Sequence, residues 1–177
     1  MRHTDCLPVR TRILGIDPGS RLTGFGVLDF TGGSAAYVAS GTVRSQQGDF
    51  PSRLRQIFES MAVVVEDYQP DIVAIESIFM HKNAASALKL GQARSAALCA
   101  TFARNIEVHE YAPREIKLAV VGTGSASKEQ VQHMVSSILG LAALPSADAS
   151  DALAAALCHG HQRRLRQQLG QHLTLAG

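Results

Sequence analysis

Residues 13–27 read ILGIDPGSRLTGFGV, and this stretch decides which fold the chain adopts. The apolar run that ends at Ile16 predicts a short strand, and the turn sequence Asp-Pro-Gly-Ser that follows predicts where the strand stops. Residues 23–30 then predict a second strand, which contains two glycines. A strand, a tight turn and a second strand predict the beginning of an antiparallel sheet.

Beyond this stretch, the pattern changes from strands alone to alternating helices and strands. A third strand is predicted over residues 35–44, so the first three strands form an antiparallel meander. The remaining predicted elements are helices over residues 51–68, 84–104, 113–121, 128–139 and 147–159, and strands over residues 71–76 and 107–111. The second helix is rich in Ala and Leu and more apolar than one sheet face requires, which indicates either a dimer interface or simple burial. Ser146 is expected to cap the last helix.

This order of elements predicts an α/β protein with a mixed five-stranded sheet, made of the antiparallel meander and parallel βα units and flanked by helices. The length of 177 residues indicates one domain, which we place at residues 12–161. Residues 1–11 are an N-terminal extension. Residues 162–177 are expected to form a mobile basic tail.

The composition is typical of a globular protein and excludes several classes. Hydrophobic residues make up 46% of the chain and charged residues 18%, which excludes global disorder. No apolar run reaches the roughly 18 residues that span a membrane, and the polar, basic start lacks the apolar core of a secretory signal. The three cysteines are far apart and without zinc-site spacing, so we expect buried, reduced thiols in a cytoplasmic protein.

Four carboxylates lie at the ends of apolar strands or at the start of an apolar helix, where burying a charged group is energetically unfavourable. Asp17 and Glu76 each end an apolar strand, and Asp148 and Asp151 project from one face at the start of an Ala-rich helix. If the first and fourth strands are neighbours and this helix crosses their edge, all four acids converge. When carboxylates lie this near to one another, they either have raised pKa values or bind a cation. Their hard oxygen ligands favour Mg²⁺ or Mn²⁺. Two such ions roughly 4 Å apart are the usual apparatus of phosphodiester hydrolysis.

Each acid also has a simpler explanation when it is taken alone. Asp17 suits a turn before Pro-Gly, and Glu76 suits an exposed strand end. Asp148 and Asp151 suit the positive end of a helix dipole. The hypothesis of a metal site therefore depends on their conjunction. With four acids set aside, 17 basic residues face 11 acidic ones, a surplus that suits a polyanion such as DNA.

Four segments of the chain resemble, in order and at the expected intervals, the motifs of the RuvC family of bacterial Holliday-junction resolvases. They are residues 13–27, residues 74–83 with 86–94, residues 117–134 and residues 147–154. The resemblance runs from about residue 12 to residue 161. Two features depart from the family pattern: Ser77 stands where a long polar residue is expected, and the first dozen residues are additional.

The resemblance implies a ribonuclease H-like fold and a homodimer. It implies symmetric, Mg²⁺-dependent nicking of two opposed strands of four-way junction DNA, with two ions per active site and with Mn²⁺ able to substitute. It further implies work in the cytoplasm, in recombination and repair, beside branch-migration proteins of the RuvA and RuvB type, with no membrane partner.

The resemblance also assigns roles to individual residues. The family's catalytic and metal-binding acids fall on Asp17, Glu76, Asp148 and Asp151, the same four residues that the strand ends and the helix start singled out. Basic residues that contact DNA near the active site match Lys117 and Lys128, and an aromatic residue that stacks on bases matches Phe79. From the sequence alone, a core aromatic is the favoured explanation of Phe79, and the resemblance favours a residue that stacks on bases.

The basic residues Lys82, Lys89 and Arg94 flank the apolar second helix. They form either a solvated helix face or a row of DNA phosphate contacts. His133 and His159 are expected to be structural, whereas His161 receives no role.

Two other functions are compatible with parts of the sequence. Actin-like ATPases and sugar kinases also bind phosphate and Mg²⁺ with a strand, an Asp and a Gly-containing turn, as in residues 15–20. They need two such domains and a second phosphate loop, for which 177 residues are too few. A catalytically inactive DNA-binding module predicts that at least one of the four acids is lost, and all four are present.

Overall fold

The computed structural model of the chain describes residues 9–78 and 83–175, the last six of them by their backbone alone. All the predicted strands and helices are present. The strands are β1 (Thr11–Asp17), β2 (Leu22–Thr31), β3 (Ser34–Arg44), β4 (Ile72–Glu76) and β5 (Glu107–Tyr111). The helices are α1 (Phe50–Tyr68), α2 (Ala84–Cys99), α3 (Pro113–Val121), α4 (Lys128–Leu139) and α5 (Ala147–Leu175), with a 3-10 turn at Phe102–Arg104. Within the described residues, no helix is both long and apolar enough to cross a membrane.

The five strands form one mixed sheet in the order β3-β2-β1-β4-β5. The first three strands pair antiparallel, and β4 and β5 run parallel to β1. This confirms the predicted combination of a meander with parallel βα units. Because β1, β4 and β5 are parallel, their carboxyl ends lie at the same edge of the sheet, where open α/β sheets commonly carry their sites.

Helices cover both faces of the sheet, and the two faces have separate apolar cores. One core packs α3, α4 and α5 against residues such as Ile13 and Ala74, and the other packs α1 and α2 against residues such as Leu14 and Val73. Successive strand residues point to opposite faces. Asp17 is four residues after Ile13 and two residues after Gly15, so it projects to the face that α5 covers.

Three glycines allow α5 to lie directly on the sheet. A Cβ at Gly15 would overlap the carbonyl oxygen of Ala152, and one at Gly24 would overlap the carbonyl oxygen of Asp148. A Cβ at Gly26 would lie 2.7 Å from side-chain carbons of Leu153. Because α5 is rich in Ala, its side chains facing the sheet are small as well. The backbones of the helix and the sheet therefore come into contact. This close packing positions the start of α5 beside the end of β1.

The ends of two helices differ from the prediction. The last helix continues to Leu175 instead of ending at His159, because Arg, Gln and Leu are good helix formers and no proline interrupts them. Residues 162–175 are therefore helical, and their mobility stays a prediction. The second helix ends at Cys99 instead of residue 104, because the Thr101 hydroxyl and amide both donate to the Leu98 carbonyl and tighten the last turn.

Of the two explanations for the apolar second helix, burial within the chain was wrong. Within α2 only Ala93 and Ala97 are buried, and Leu88 is 69% exposed. Cys99 is exposed as well, contrary to the expectation of a buried thiol, whereas Cys158 is buried as expected. The apolar composition of α2 thus exceeds what packing within one chain uses.

Candidate active site

The four singled-out carboxylates lie at one edge of the sheet. In the parallel pairing of β1 with β4, Gly15 lies beside Ala74 and Ile16 beside Ile75, so the next residues in register are Asp17 and Glu76. Asp148 is held over Gly24, the residue that pairs with Asp17 from β2. Asp151 follows one helical turn later on the same face of α5. The backbone positions of the four acids therefore lie at the same edge of the sheet, and their joint role as a metal site stays a prediction.

Burial and mutual repulsion raise the pKa values of the two strand-end acids. The pKa of Asp17 rises from 3.8 to about 8, first because the carboxyl group is buried, and then because Glu76 and Asp151 carry like charges. The pKa of Glu76 is also raised, by burial and then by Asp151. Carboxylates that repel one another in this way are typical of a cation site.

Two lysines moderate this charge. Lys128, the first residue of α4, donates a hydrogen bond of 2.9 Å from Nζ to Oδ2 of Asp151. This bond, which is the largest influence on Lys128, raises its pKa. Lys117, on α3, acts with Lys128 to oppose the rise in the pKa of Glu76. Both lysines thus stand within electrostatic reach of the acids, where the sequence predicted DNA contacts.

The carboxylates fit a divalent cation by the chemistry of their oxygen atoms and by their unbalanced charge. In the parts of the chain that the structure describes, no three His, Cys, Asp or Glu side chains already stand close enough together to hold an ion. Asp151 is instead bonded to Lys128.

A pocket of about 610 Å³ opens beside Asp17 and Glu76. Its other lining residues are Pro18, Ser77, Ile78, Leu90, Ala112, Pro113 and Arg114. The two acids therefore share a mainly apolar cleft with the beginning of α3. This size and this mixture of an apolar lining with a few charged groups are typical of substrate sites.

The sequence and the structure both have close relatives. The family model of the crossover junction endodeoxyribonuclease RuvC matches residues 13–159. The RuvC of Methylococcus capsulatus is 56% identical over 161 residues, which cover 91% of this chain and 97% of that protein. The RuvC of Aeromonas hydrophila is 53% identical over 153 residues, which cover 86% of this chain and 88% of that protein. The chain belongs to the RuvC family.

Structural comparison agrees with the sequence comparison. The structure of Thermus thermophilus RuvC in complex with a Holliday junction substrate matches with a TM-score of 0.81 and 34% identity, covering 88% of this chain and 96% of that chain. The fold is therefore ribonuclease H-like, as the resemblance implied. RuvC proteins are metal-dependent nucleases that hydrolyse DNA phosphodiester bonds, and this membership excludes the kinase alternative.

Of the other predicted DNA contacts of this RuvC-family chain, Lys89 and Arg94 lie on α2. Lys89 is exposed on α2, with its Nζ 5.9 Å from the ring centre of Phe50. A guanidinium nitrogen of Arg94 lies 2.7 Å from Glu110, so a DNA contact by Arg94, which stays a prediction, competes with this ion pair. Phe79 and Lys82 lie outside the described residues, and their contacts with DNA stay predictions.

A buried pair that the sequence did not reveal joins the site's edge strand to the acidic helix. The hydroxyl of Tyr111, at the end of β5, lies 2.8 Å from Nδ1 of His159 on α5. The Tyr111 carbonyl accepts hydrogen bonds from the amide and the hydroxyl of Ser77, next to Glu76. His159 is only 4% exposed, in agreement with its expected structural role. The pair ties the strand end beside Glu76 to the helix that carries Asp151.

We expect His159 to make the folded state of this RuvC-family protein sensitive to acid. Burial, followed by the charge of His109, lowers the pKa of His159 from 6.5 to about 4. The unfolded chain therefore takes up this proton first, so the contribution to stability is complete above pH 6.5 and is lost as the pH falls towards 4. Relative to His159→Gln, the free energy of unfolding of the wild type should fall by up to about 3 kcal/mol across this pH interval.

Urea unfolding at several pH values measures this difference. The matched control is His133→Gln, because His133 is exposed on α4 and its replacement should leave the pH dependence unchanged. Parallel curves for the wild type and His159→Gln would contradict the assignment of the acid sensitivity to His159.

Proposed function

We propose that this chain cuts four-way DNA junctions by nicking two opposed strands symmetrically, in recombination and DNA repair. The observation that carries the proposal is the convergence of Asp17 and Glu76 with Asp148 and Asp151 at one sheet edge, in a chain of the RuvC family. The similar Thermus thermophilus structure holds a Holliday junction, which supports the same substrate class here.

Mg²⁺ is the proposed cofactor, with two ions per active site and with Mn²⁺ able to replace it. Asp17, Glu76, Asp148 and Asp151 would hold the ions through their oxygen atoms. A divalent cation in this position supplies Lewis-acid activation of water and of the scissile phosphate. The raised pKa of Asp17 supports the proposal, because the bound cation would replace a proton that the buried carboxyl group otherwise keeps.

The chain's own residues supply the remaining requirements. Asp151 would exchange its bond with Lys128 for the cation, which frees the Lys128 ammonium group for a DNA phosphate. Lys117 would contact the same DNA backbone from α3. The apolar residues of the pocket, such as Leu90 and Pro18, exclude bulk water and so strengthen each electrostatic contact inside it. DNA contacts at Phe79, Lys82, Lys89 and Arg94 are proposed from the sequence alone.

Symmetric cleavage requires two active sites, whereas each chain has one set of four acids. We therefore propose a homodimer, and the exposed apolar surface of α2, which includes Leu88, is available for it. Branch-migration proteins of the RuvA and RuvB type are the proposed partners, and the cytoplasm is the proposed location. These last two proposals rest on membership of the family.

The function is tested by cleavage of a synthetic four-way junction in Mg²⁺, with a linear duplex of matched sequence alongside. We expect paired nicks in the junction and none in the duplex. Asp148→Asn should abolish the nicks while junction binding persists. The matched control is Asp67→Asn, which changes an exposed acid at the end of α1 and should cut normally.

Several junction core sequences and both Mg²⁺ and Mn²⁺ are needed in this experiment. If the wild type bound these junctions and cut none of them, a DNA-binding module without catalytic activity would be the better description of the chain.

A further inference from the structure

Arg114 lies at the active-site pocket together with the acids. It is the second residue of α3, which begins directly after β5. In the parallel pairing of β4 with β5, Glu76 lies beside Tyr111, so α3 starts at the same sheet edge as the acids. Arg114 lines the pocket that Asp17 and Glu76 also line. Its position therefore follows from the topology and not from a local motif.

Among the residues whose side chains the structure describes, the guanidinium group of Arg114 has no acidic partner. In residues 9–78 and 83–169, Arg114 has no salt bridge, whereas Arg12 and Arg94 each pair with a carboxylate. The adjacent Glu115 is directed away, because its carboxylate accepts a hydrogen bond of 2.8 Å from the amide of Ala112 and so caps α3. A cation beside a DNA-cutting site is thereby left available for an anion.

The side chain of Arg114 also packs against the loop between α3 and α4. A Cβ at Gly124 would lie 2.5 Å from Cγ and 3.0 Å from Nε of Arg114. The absence of a side chain at position 124 thus lets the arginine cross this loop. The same loop leads to Lys128, which is bonded to Asp151. The loop that Arg114 contacts therefore leads directly into the helix that begins with Lys128.

Any DNA strand that enters this pocket passes carboxylates that repel its phosphates. A guanidinium group offers paired N–H donors that match two phosphate oxygens, and it remains charged at every physiological pH. We propose that Arg114 binds a backbone phosphate of the cleaved strand that flanks the scissile phosphate. This inference deepens the proposed function and rests on it.

The test measures junction binding in chelator, so that no strand is cut, over a series of salt concentrations. Arg114→Ala should weaken binding about tenfold and reduce the slope of log Kd against log salt by about one, because one phosphate contact is lost. Arg114→Lys should keep the slope and recover part of the affinity. Arg55→Ala removes an exposed arginine from α1, on the other face of the sheet, and should match the wild type.

A second variant changes the contact between Arg114 and Gly124 without removing the charge of Arg114. Gly124→Ala should displace the Arg114 side chain and weaken binding, and combining it with Arg114→Ala should add no further loss. Wild-type affinity and an unchanged salt slope in Arg114→Ala would overturn the inference. If the wild type still cut junctions, the proposed function would stand, whereas failure of the wild type to cut would count against the function itself.

Discussion

Gly15→Ala is expected to lower the free energy of unfolding by more than about 4 kcal/mol, which is a large part of the stability of an ordinary domain. The added Cβ would overlap the Ala152 carbonyl oxygen and would lie 3.0 Å from the backbone nitrogen of Ala156. Both atoms belong to the backbone of α5, so no change of rotamer relieves the overlap. The helix must move away from the sheet, which opens the core on that face and displaces Asp148 and Asp151.

Urea unfolding followed by circular dichroism measures this loss, and junction cleavage by the folded fraction reports the displacement of the acids. The matched control is Gly91→Ala in α2, because a Cβ at Gly91 meets no atom within 4 Å. Alanine there should stabilise the protein by about 0.5–1 kcal/mol. A Gly15→Ala protein as stable as the wild type would show that α5 does not rest on the backbone of β1.

Asp17→Asn is expected to reduce junction cleavage by at least about 10³-fold and, in metal-free buffer, to make the protein more stable. The pKa of Asp17 is about 8 in the folded state and 3.8 ordinarily, so the unfolded chain loses this proton at lower pH. The wild type therefore loses stability as the pH rises from 3.8 through 8. Asparagine has no proton to lose, so the advantage of the variant should grow across this interval to several kcal/mol.

Urea unfolding in chelator from about pH 5 to about pH 8 checks the stability difference. Added Mg²⁺ should raise the melting temperature of the wild type, because the cation binds the native acids, and should raise that of Asp17→Asn much less. Asp67→Asn, which changes an exposed acid on α1, is the control for the loss of one charge. Equal pH dependence in the wild type and Asp17→Asn would contradict the assignment, as would an equal response to Mg²⁺.

Both substitutions change the contact between α5 and the sheet: Gly15→Ala disrupts it, and Asp17→Asn removes the charge that it buries. The close approach of α5 to the sheet stabilises the fold, and the same approach buries Asp17 near other carboxylates at an electrostatic cost. Such a trade between stability and activity is common at active sites. In this chain it concerns neighbouring positions, because Gly15 and Asp17 are two residues apart on one face of β1.

Local patterns in the sequence were sufficient to predict the elements and the mixed sheet, and they singled out the four acids. Alternation and turn residues mark the strands, and helical spacing marks the helices. Asp17 and Glu76 stand out because a charged residue that ends an apolar strand is a local conflict. The limits of α2 and α5 were predicted less well, because the hydroxyl of Thr101 and the helix-forming tail act through short-range contacts that hydrophobic periodicity does not record.

Only the tertiary structure decided which distant residues meet. Lys128 bonds to Asp151 across 23 positions, and Tyr111 meets His159 across 48. Arg114 shares a pocket with Asp17 because β5 is parallel to β1 and β4, a pairing in which no local sequence signal names the partners. The physical reason is that periodicity and turn chemistry depend on near neighbours along the chain. Contacts across the core depend on how α5 packs on glycines in two strands, and this packing is settled only when the whole sheet has formed.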